Sequence, residues 1–124
     1  MTVLVDSWAW IEYFKGTPIG RVVEEHLDKD EKVITSSINV AEVFGFLLRN
    51  QGEELADEGL QFIMESSFII PFAVDIAIDA AIAKNEKRFG LADAIVYATA
   101  KNHHAVILTG DSDFRKIENV KFLA

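Results

Sequence analysis

Three short runs of β-branched and other apolar residues alternate with longer segments of helical periodicity, and this alternation constrains the fold more than any other feature. The runs span Thr2–Asp6, Lys32–Ser36 and Ala105–Thr109. Each is short enough to be a buried strand, and each borders a segment whose apolar residues recur every three to four positions. Strands that alternate with helices form parallel sheets with helices on both faces. The sequence therefore predicts a mainly parallel α/β fold.

Weaker patterns supply the remaining elements. Helices are predicted over Ser7–Lys15, from Thr17-Pro18 to Leu27, from Val40 to Leu48, over Glu53–Ser66, from a cap at Asp75 to Arg88, and over Leu91–His103. Two further strands are predicted over Phe68–Phe72 and Val120–Leu123. A length of 124 residues fits one domain, and no linker or repeat divides the sequence. We expect a single α/β domain over residues 1–124.

The composition excludes several kinds of function. The chain has no Cys, which rules out disulfides, thiolate zinc sites and cysteine nucleophiles. It carries 20 Asp and Glu against 12 Lys and Arg, a net charge of -8, which disfavours unassisted binding to nucleic-acid phosphates or anionic membranes. No apolar run reaches the ~18 residues of a membrane helix, and the start has no basic signal region. We expect a cytoplasmic protein whose polyanionic partners require a metal ion or a local basic patch.

Four acidic residues lie inside apolar stretches rather than on a solvated polar face. Asp6 ends the first predicted strand, and Asp111 lies two residues beyond the strand that ends at Thr109. Glu42 and Asp93 lie in early turns of predicted helices. Because the carboxyl ends of parallel strands meet at one edge of the sheet, that edge can gather all four carboxylates, and ligands of such folds bind there.

Each of these acids also has a purely structural interpretation. Asp6 and Asp111 can cap helices, Glu42 can complete a capping box with Asn39, and Asp93 can complement a helix dipole. If the four acids converge, the purely structural interpretation becomes less favourable, because two carboxylates ~4 Å apart repel by roughly 4 kcal/mol at an effective dielectric of ~20. Four converging acids would be partly protonated or would hold a divalent cation.

The ligand chemistry of such a site would be entirely oxygen. The sequence has no Cys and no HExxH pattern, so hard Mg²⁺ or Mn²⁺ is favoured over zinc. Such ions activate water and neutralise charge at a phosphoryl group. Ser7 and Thr109 are hydroxyls next to the acids, and they can either hydrogen-bond the carboxylates or serve as a helix cap and a strand end.

Three segments together resemble the PIN-domain ribonucleases, in particular the VapC-type toxins of prokaryotic toxin-antitoxin pairs. They are VLVDSWAWIEYF near the start, TSSINVAEVF in the middle and GLADAIVYATAKNHHAVILTGDSDF near the end. The resemblance extends over almost the whole chain. It implies a three-layer fold whose five strands have the order 3-2-1-4-5, with helices on both faces of the sheet.

The resemblance also implies an activity and a set of site residues. The activity is hydrolysis of RNA by a Mg²⁺- or Mn²⁺-dependent endoribonuclease. The metal-site roles transfer to Asp6, Glu42 and Asp93, with Asp111 as the fourth acid and Asp113 as an additional acid of the TGDSDF motif. VapC-type toxins typically form dimers and bind a small DNA-binding antitoxin, so the resemblance implies both partners.

Two other functions compete with this interpretation. An acid-pocket phosphohydrolase or phosphotransfer domain also places Asp at the end of its first strand, but Trp8 occupies the position where the second acid of an acid-x-acid pair would be. A non-catalytic interaction module would not need four acids at one edge. Phe46 and Phe62 lie away from the main apolar stripes of their helices, so we expect them to contribute to an exposed homodimer interface. Arg115-Lys116 is the predicted phosphate contact.

Overall fold

A computed structural model describes residues 1–29 and 31–124 of the chain. The strands are β1 (Thr2–Val5), β2 (Lys32–Ser36), β3 (Phe68–Ile70), β4 (Ala105–Thr109) and β5 (Val120–Phe122). The helices are α1 (Ser7–Lys15), α2 (Pro18–Asp28), α3 (Ser37–Gln51), α4 (Glu53–Ser66), α5 (Val74–Lys87) and α6 (Leu91–Asn102), and Ser112–Phe114 forms a 3₁₀ turn.

The five strands form one sheet in the order β3-β2-β1-β4-β5, and every neighbouring pair is parallel. This confirms the predicted fold class and strand order. The chain extends the sheet on one side of β1 through β2 and β3, and then on the other side through β4 and β5. The order therefore reverses between β1 and β4, which is where open α/β sheets form their ligand crevice.

Side chains of the central strand point alternately into two apolar layers. Val3 and Val5 pack with the cluster formed by α1, α3 and α4, whereas Leu4 packs with the cluster formed by α5 and α6. All three side chains are fully buried. Because helices cover both faces of the sheet, the strands are continuous runs of apolar residues. A polar side chain at the end of such a strand is therefore not exposed to solvent on either face.

Local capping fixes the start of the helices that flank the sheet. Thr17 accepts a hydrogen bond from the Gly20 amide at 3.1 Å, and Pro18 occupies the first turn of α2, as predicted. Helix α3 begins with a capping box between Ser36 and Asn39. The suggested pairing of Asn39 with Glu42 in a capping box is therefore wrong, and Glu42 is left free for another partner.

Most elements differ from the sequence prediction by one to three residues at one or both ends, and two of these differences bear on how the chain is capped or paired. Strand β3 ends at Ile70 rather than Phe72, because Pro71 has no amide hydrogen to continue the ladder. Asp75 does not cap α5: the cap position is Ala73, and Asp75 lies in the first turn, where an acid still interacts favourably with the helix dipole.

Exposed apolar side chains lie on α3 and α4, the helices for which the sequence predicts an apolar patch, and also on α5. Phe46 and Phe62 are partly buried and pack against the cluster of α1, α3 and α4, so the prediction that they lie on an exposed patch is wrong. Phe62 stacks on Tyr13 with ring centroids 5.2 Å apart. On α5, Ile78 and Ile82 are each more than half exposed, and on α3 and α4 Leu48, Leu55 and Met64 are also exposed. None of the helices in the described part of the chain has the length and apolar composition needed to cross a membrane.

Candidate active site

Asp6 follows β1 at the centre of the carboxyl edge and is only 5% exposed. It occupies the cap position of α1, but its side chain makes no capping hydrogen bond. Its two oxygens instead accept hydrogen bonds from Asn39 Nδ2 at 3.1 Å and from Thr109 Oγ1 at 2.8 Å. The capping interpretation of Asp6 is therefore wrong, and the carboxylate is held toward the interior of the edge.

Burial makes ionisation of Asp6 unfavourable. Desolvation is the main cause that raises the pKa of Asp6 from its usual 3.8 to about 6, and the nearby charges of Glu42 and Asp111 raise it further. The hydrogen bond from Thr109 acts in the opposite direction but does not offset the burial. A buried carboxylate in a field of other acids is stabilised by a bound cation.

Thr109 connects the Asp6 carboxylate to the acidic loop after β4. Its hydroxyl donates to Asp6 and accepts a hydrogen bond from the Asp111 amide at 3.1 Å. Asp111 in turn caps the 3₁₀ turn by accepting from the Asp113 amide at 3.0 Å. The predicted capping role of Asp111 is therefore confirmed. The same hydrogen bond fixes the backbone position of Asp113.

Three carboxylates converge next to Asp6. Asp93, Asp111 and Asp113 each offer an oxygen within 4.8 Å of the others. The pKa of Asp93 rises to about 7, mainly through desolvation and then through the charge of Asp111 and a hydrogen bond to Asp113 that favours the protonated form. Of the predicted acids, the structure brings Asp93 and Asp111 together, and it adds Asp113, which the sequence marked only as a supporting residue.

Glu42 lies at the exposed end of a polar chain rather than inside the three-acid group. Ser7 Oγ donates to Glu42 Oε1 at 2.6 Å, and Asn39 Nδ2 donates to Ser7 Oγ at 2.9 Å. The predicted contact of Ser7 and Thr109 with acids is therefore confirmed. The Coulombic effect of Glu42 on the pKa of Asp6 shows that the two acids belong to one electrostatic site.

Asn39 is the residue that the sequence interpretation missed. It is fully buried, donates to both Asp6 and Ser7, and accepts from the Ser36 amide at 3.3 Å. A signal was present, since Asn39 precedes Glu42 by three positions and so shares its helix face. The side-chain amide of Asn39 thus donates hydrogen bonds to Asp6 and to the Ser7 hydroxyl that contacts Glu42.

The same combination of sheet order and acidic edge defines a known family. The family model of the PIN domain matches residues 3–120. The chain belongs to the PIN domain family. PIN domains are nucleases that use divalent metal ions, so the chain is assigned to the hydrolases that act on nucleic acids. No curated protein sequence matches this PIN domain significantly.

Several solved structures have the same fold. A toxin-antitoxin complex from Klebsiella pneumoniae contains a chain 25% identical to this PIN domain, with 98% of each chain covered and a TM-score of 0.81. FitAcB from Neisseria gonorrhoeae is 30% identical over 91% of this chain and 89% of that one, with a TM-score of 0.69. VapC20 from Mycobacterium tuberculosis, a toxin that cleaves the sarcin-ricin loop, is 18% identical with coverage of 98% and 99% and a TM-score of 0.78.

The donor set of this PIN domain fits a hard divalent cation. Every carboxylate ligand offers oxygen, and three such oxygens lie within 4.8 Å of one another. Burial, and after it the charge of neighbouring acids, raises the pKa of Asp6 and of Asp93. Carboxylate oxygens are the protein ligands that Mg²⁺ and Mn²⁺ prefer. The edge therefore has the ligand chemistry that such an ion requires.

Proposed function

We propose that this PIN domain, residues 1–124, is a Mg²⁺- or Mn²⁺-dependent endoribonuclease that hydrolyses phosphodiester bonds of RNA. The observation that carries the proposal is the convergence of three carboxylates beside buried Asp6 at the reversal point of the sheet. Without a cation this arrangement costs stability, because burial and like charge both oppose ionisation. The resemblance to PIN-domain ribonucleases supports RNA as the substrate.

Asp93, Asp111 and Asp113, whose oxygens lie within 4.8 Å of one another, would hold the ion together with Asp6, and Glu42 would complete the acidic shell. A bound Mg²⁺ or Mn²⁺ supplies neutralisation of the phosphodiester charge and promotes ionisation of the attacking water. Asp6 and Asp93 must be deprotonated to act as ligands, and their raised pKa values place that deprotonation near neutral pH. Activity should therefore increase as pH rises through about 6 to 7.

The polar residues around the acids orient the carboxylates. Asn39 and Thr109 each bond one oxygen of Asp6, which leaves that side chain in one rotamer. Ser7 holds Glu42 through a 2.6 Å hydrogen bond, so an exposed acid on a helix surface keeps a fixed direction. Such positioning of ligands by outer residues is a general requirement of metal sites.

We further propose that the enzyme is the toxin of a type II toxin-antitoxin pair, with a small DNA-binding antitoxin as its partner. The support is the 25% identity over 98% of both chains to a component of a toxin-antitoxin complex and the resemblance to VapC-type toxins. Co-expression with a short neighbouring reading frame and co-purification test this proposal. Recovery of the PIN domain alone from such co-expression would contradict it.

A homodimer is the second proposed assembly, through the face of α5. Val74, Ile78 and Ile82 recur every four residues and are 75%, 57% and 52% exposed. A continuous apolar stripe on a helix surface commonly marks an interface, and two-fold pairing of identical stripes is the commonest way to cover one. The surface of α3 and α4, where Leu48, Leu55 and Met64 are exposed, is the alternative interface that the sequence suggested.

Cleavage of a labelled RNA with Mg²⁺, Mn²⁺ or EDTA tests the catalytic proposal. Asp6→Asn and Asp93→Asn should each remove most metal-dependent cleavage, because an amide fills the same space without the charge that holds the ion. Asp57→Asn, at an exposed position of α4, is the matched control and should retain activity. Undiminished cleavage in EDTA, or full activity of either site variant, would contradict metal-assisted hydrolysis.

A further inference from the structure

An enzyme with a net charge of -8 needs locally placed cations to hold a polyanion, since the attraction comes from Lys and Arg beside the phosphates. Many of its cations have other partners. Arg115, the expected phosphate contact, lies over the Phe122 ring at 4.4 Å. Lys15 pairs with Glu12, Lys101 pairs with Glu118, Lys121 bonds His26, Lys32 lies over Phe68 and Lys87 lies over Tyr97.

Two cations without such partners lie in one groove. Lys84 and Arg88 have no carboxylate within 4.0 Å in the described part of the chain. They line an open groove of about 620 Å³ together with Ala81, Asn85, Phe89 and Leu91. Two smaller grooves of about 340 Å³ differ, since one is lined by no Lys or Arg and the other by one Lys, Lys101, and no Arg. The volume is in the range that accommodates a nucleotide-sized ligand.

The groove adjoins the acidic edge. Its wall includes Leu91, the first residue of α6, and Asp93 lies two residues further along the same first turn. Since a helix rises ~1.5 Å per residue, the groove wall and the acid are separated by less than one helical turn. Residues two positions apart point to different sides of a helix, so a strand at Asp93 would enter the groove by passing around the start of α6.

The backbone at Arg88 is strained in a way that suggests a functional side chain. Arg88 ends α5 with φ of 58°, and its amide bonds the Lys84 carbonyl at 3.0 Å. Gly is the usual residue at such a left-handed helix end, because any other side chain adds a steric cost. An arginine kept in this conformation lies beside Lys84, one turn earlier, so that two charges face the same groove.

We propose that this groove, defined by Lys84 and Arg88, binds the phosphate backbone of the RNA segment next to the scissile bond. The proposal deepens the ribonuclease function and depends on it. Arg88 supplies a planar fork that matches phosphate oxygens, and Lys84 supplies a compact second charge. The groove thus provides the basic patch that the acidic chain otherwise lacks.

Binding of a fluorescent single-stranded RNA tests the groove, with every protein carrying Asp93→Asn so that the strand stays intact. Lys84→Gln with Arg88→Gln should weaken binding at least tenfold at low salt. The slope of log Kd against log salt should fall by about 1.4, the value for two phosphate contacts on a single strand. The control is Arg21→Gln with Lys29→Gln, which removes the same charge from two exposed positions, one in α2 and one at its C-cap, and should leave the slope unchanged.

Arg88→Gly separates a functional role from a structural one. Relief of the left-handed conformation should raise the melting temperature by about 3 °C, while RNA binding should weaken as in Arg88→Gln. In the otherwise unmodified enzyme, Lys84→Gln should raise KM more than it lowers kcat, and Lys84→Arg should restore KM. A residue that only stabilised the fold would give a less stable protein with unchanged binding.

The possible failures are distinguishable. If the Lys84 and Arg88 variants bind RNA with the parent's Kd and salt slope, or lose no more than the α2 control, the groove proposal is overturned while Mn²⁺-dependent cleavage still stands. If the unmodified enzyme cleaves no RNA with Mn²⁺ and shows no thermal shift, the ribonuclease proposal is overturned instead. Light scattering of each variant at the parent's mass ensures that a binding loss does not come from altered assembly.

Discussion

Replacing Asp6 with Asn should make the metal-free protein more stable at neutral pH. The wild-type carboxyl is 5% exposed, and its pKa rises from 3.8 in a solvated carboxyl to about 6 in the fold. A shift of that size corresponds to about 3 kcal/mol of unfolding free energy at most. Asn keeps the volume and removes the charge, although Thr109 and Asn39 then compete for one acceptor oxygen rather than two.

The sign of the pH dependence follows from the direction of the shift. A raised pKa in the folded state means that the contribution of Asp6 to stability is fully present below pH 3.8 and is lost as pH rises through about 6. The wild-type protein should therefore lose stability between pH 4 and pH 7 relative to Asp6→Asn. By pH 8 the free energy of unfolding of Asp6→Asn should exceed that of the wild type by about 2 kcal/mol. This figure is the maximum of about 3 kcal/mol less roughly 1 kcal/mol for a lost hydrogen bond.

Urea denaturation in EDTA at pH 4.5, 6 and 8 measures this difference. Asp57→Asn removes a charge from an exposed position and should show the wild-type pH dependence. Addition of millimolar Mn²⁺ should then reverse the order at pH 8, because the ion stabilises the wild-type site through mass action and has little affinity for the variant. Parallel pH profiles for wild type and Asp6→Asn, or equal stabilisation of both by Mn²⁺, would refute the reasoning.

Three further predictions follow from the contacts of the site and of α5. Asn39→Ala should lower kcat about tenfold and weaken Mn²⁺ binding, because Asn39 bonds both Asp6 and Ser7. Thr109→Val should lower kcat less than Asp6→Asn or Asp93→Asn does. Cleavage kinetics and thermal shift measure both effects. Gly110→Ala should destabilise the fold by about 2 kcal/mol in urea denaturation, since a Cβ there meets the Trp8 ring, and Trp8→Ala should rescue it; equal stability of Gly110→Ala and wild type would contradict the contact. Ile78→Glu should give a monomer by light scattering, and an unchanged dimer mass would exclude α5 as the interface.

Much of the fold could be predicted because its local and long-range signals agree. The strand Ala105–Thr109 and the helix at Leu91 have strong patterns, and seven consecutive residues from Ala94 to Ala100 are buried as an all-round apolar helix requires. Helix α5 was harder, since its many alanines give no clear polar face. Which side of α5 is exposed at Ile78 depends on its packing against α6, and tertiary structure sets that packing.

The acidic edge could be predicted in part, for a physical reason. Asp6 is placed by the end of a strand, and parallel pairing brings it to the edge whatever the loops do. Asp113 is placed by the 3₁₀ turn that Asp111 caps, and sequence spacing does not determine how such a turn directs its side chains. The role of Asn39 depends on the distance between α3 and β1, which is set by packing.

The Thr109–Asp6 hydrogen bond joins residues 103 positions apart, and this has a consequence for synthesis on the ribosome. A nascent chain acquires Asp6, Asn39 and Glu42 early, but β1 has no neighbour on its other side until β4 emerges, and Asp111 and Asp113 follow later still. Chains released prematurely, before Ala105, would therefore lack Asp111 and Asp113 as well as the strand that carries Thr109. An incomplete translation product of this gene should be harmless to the cell that makes it, because the acidic edge is complete only when the last 20 of the 124 residues have folded against the first strand.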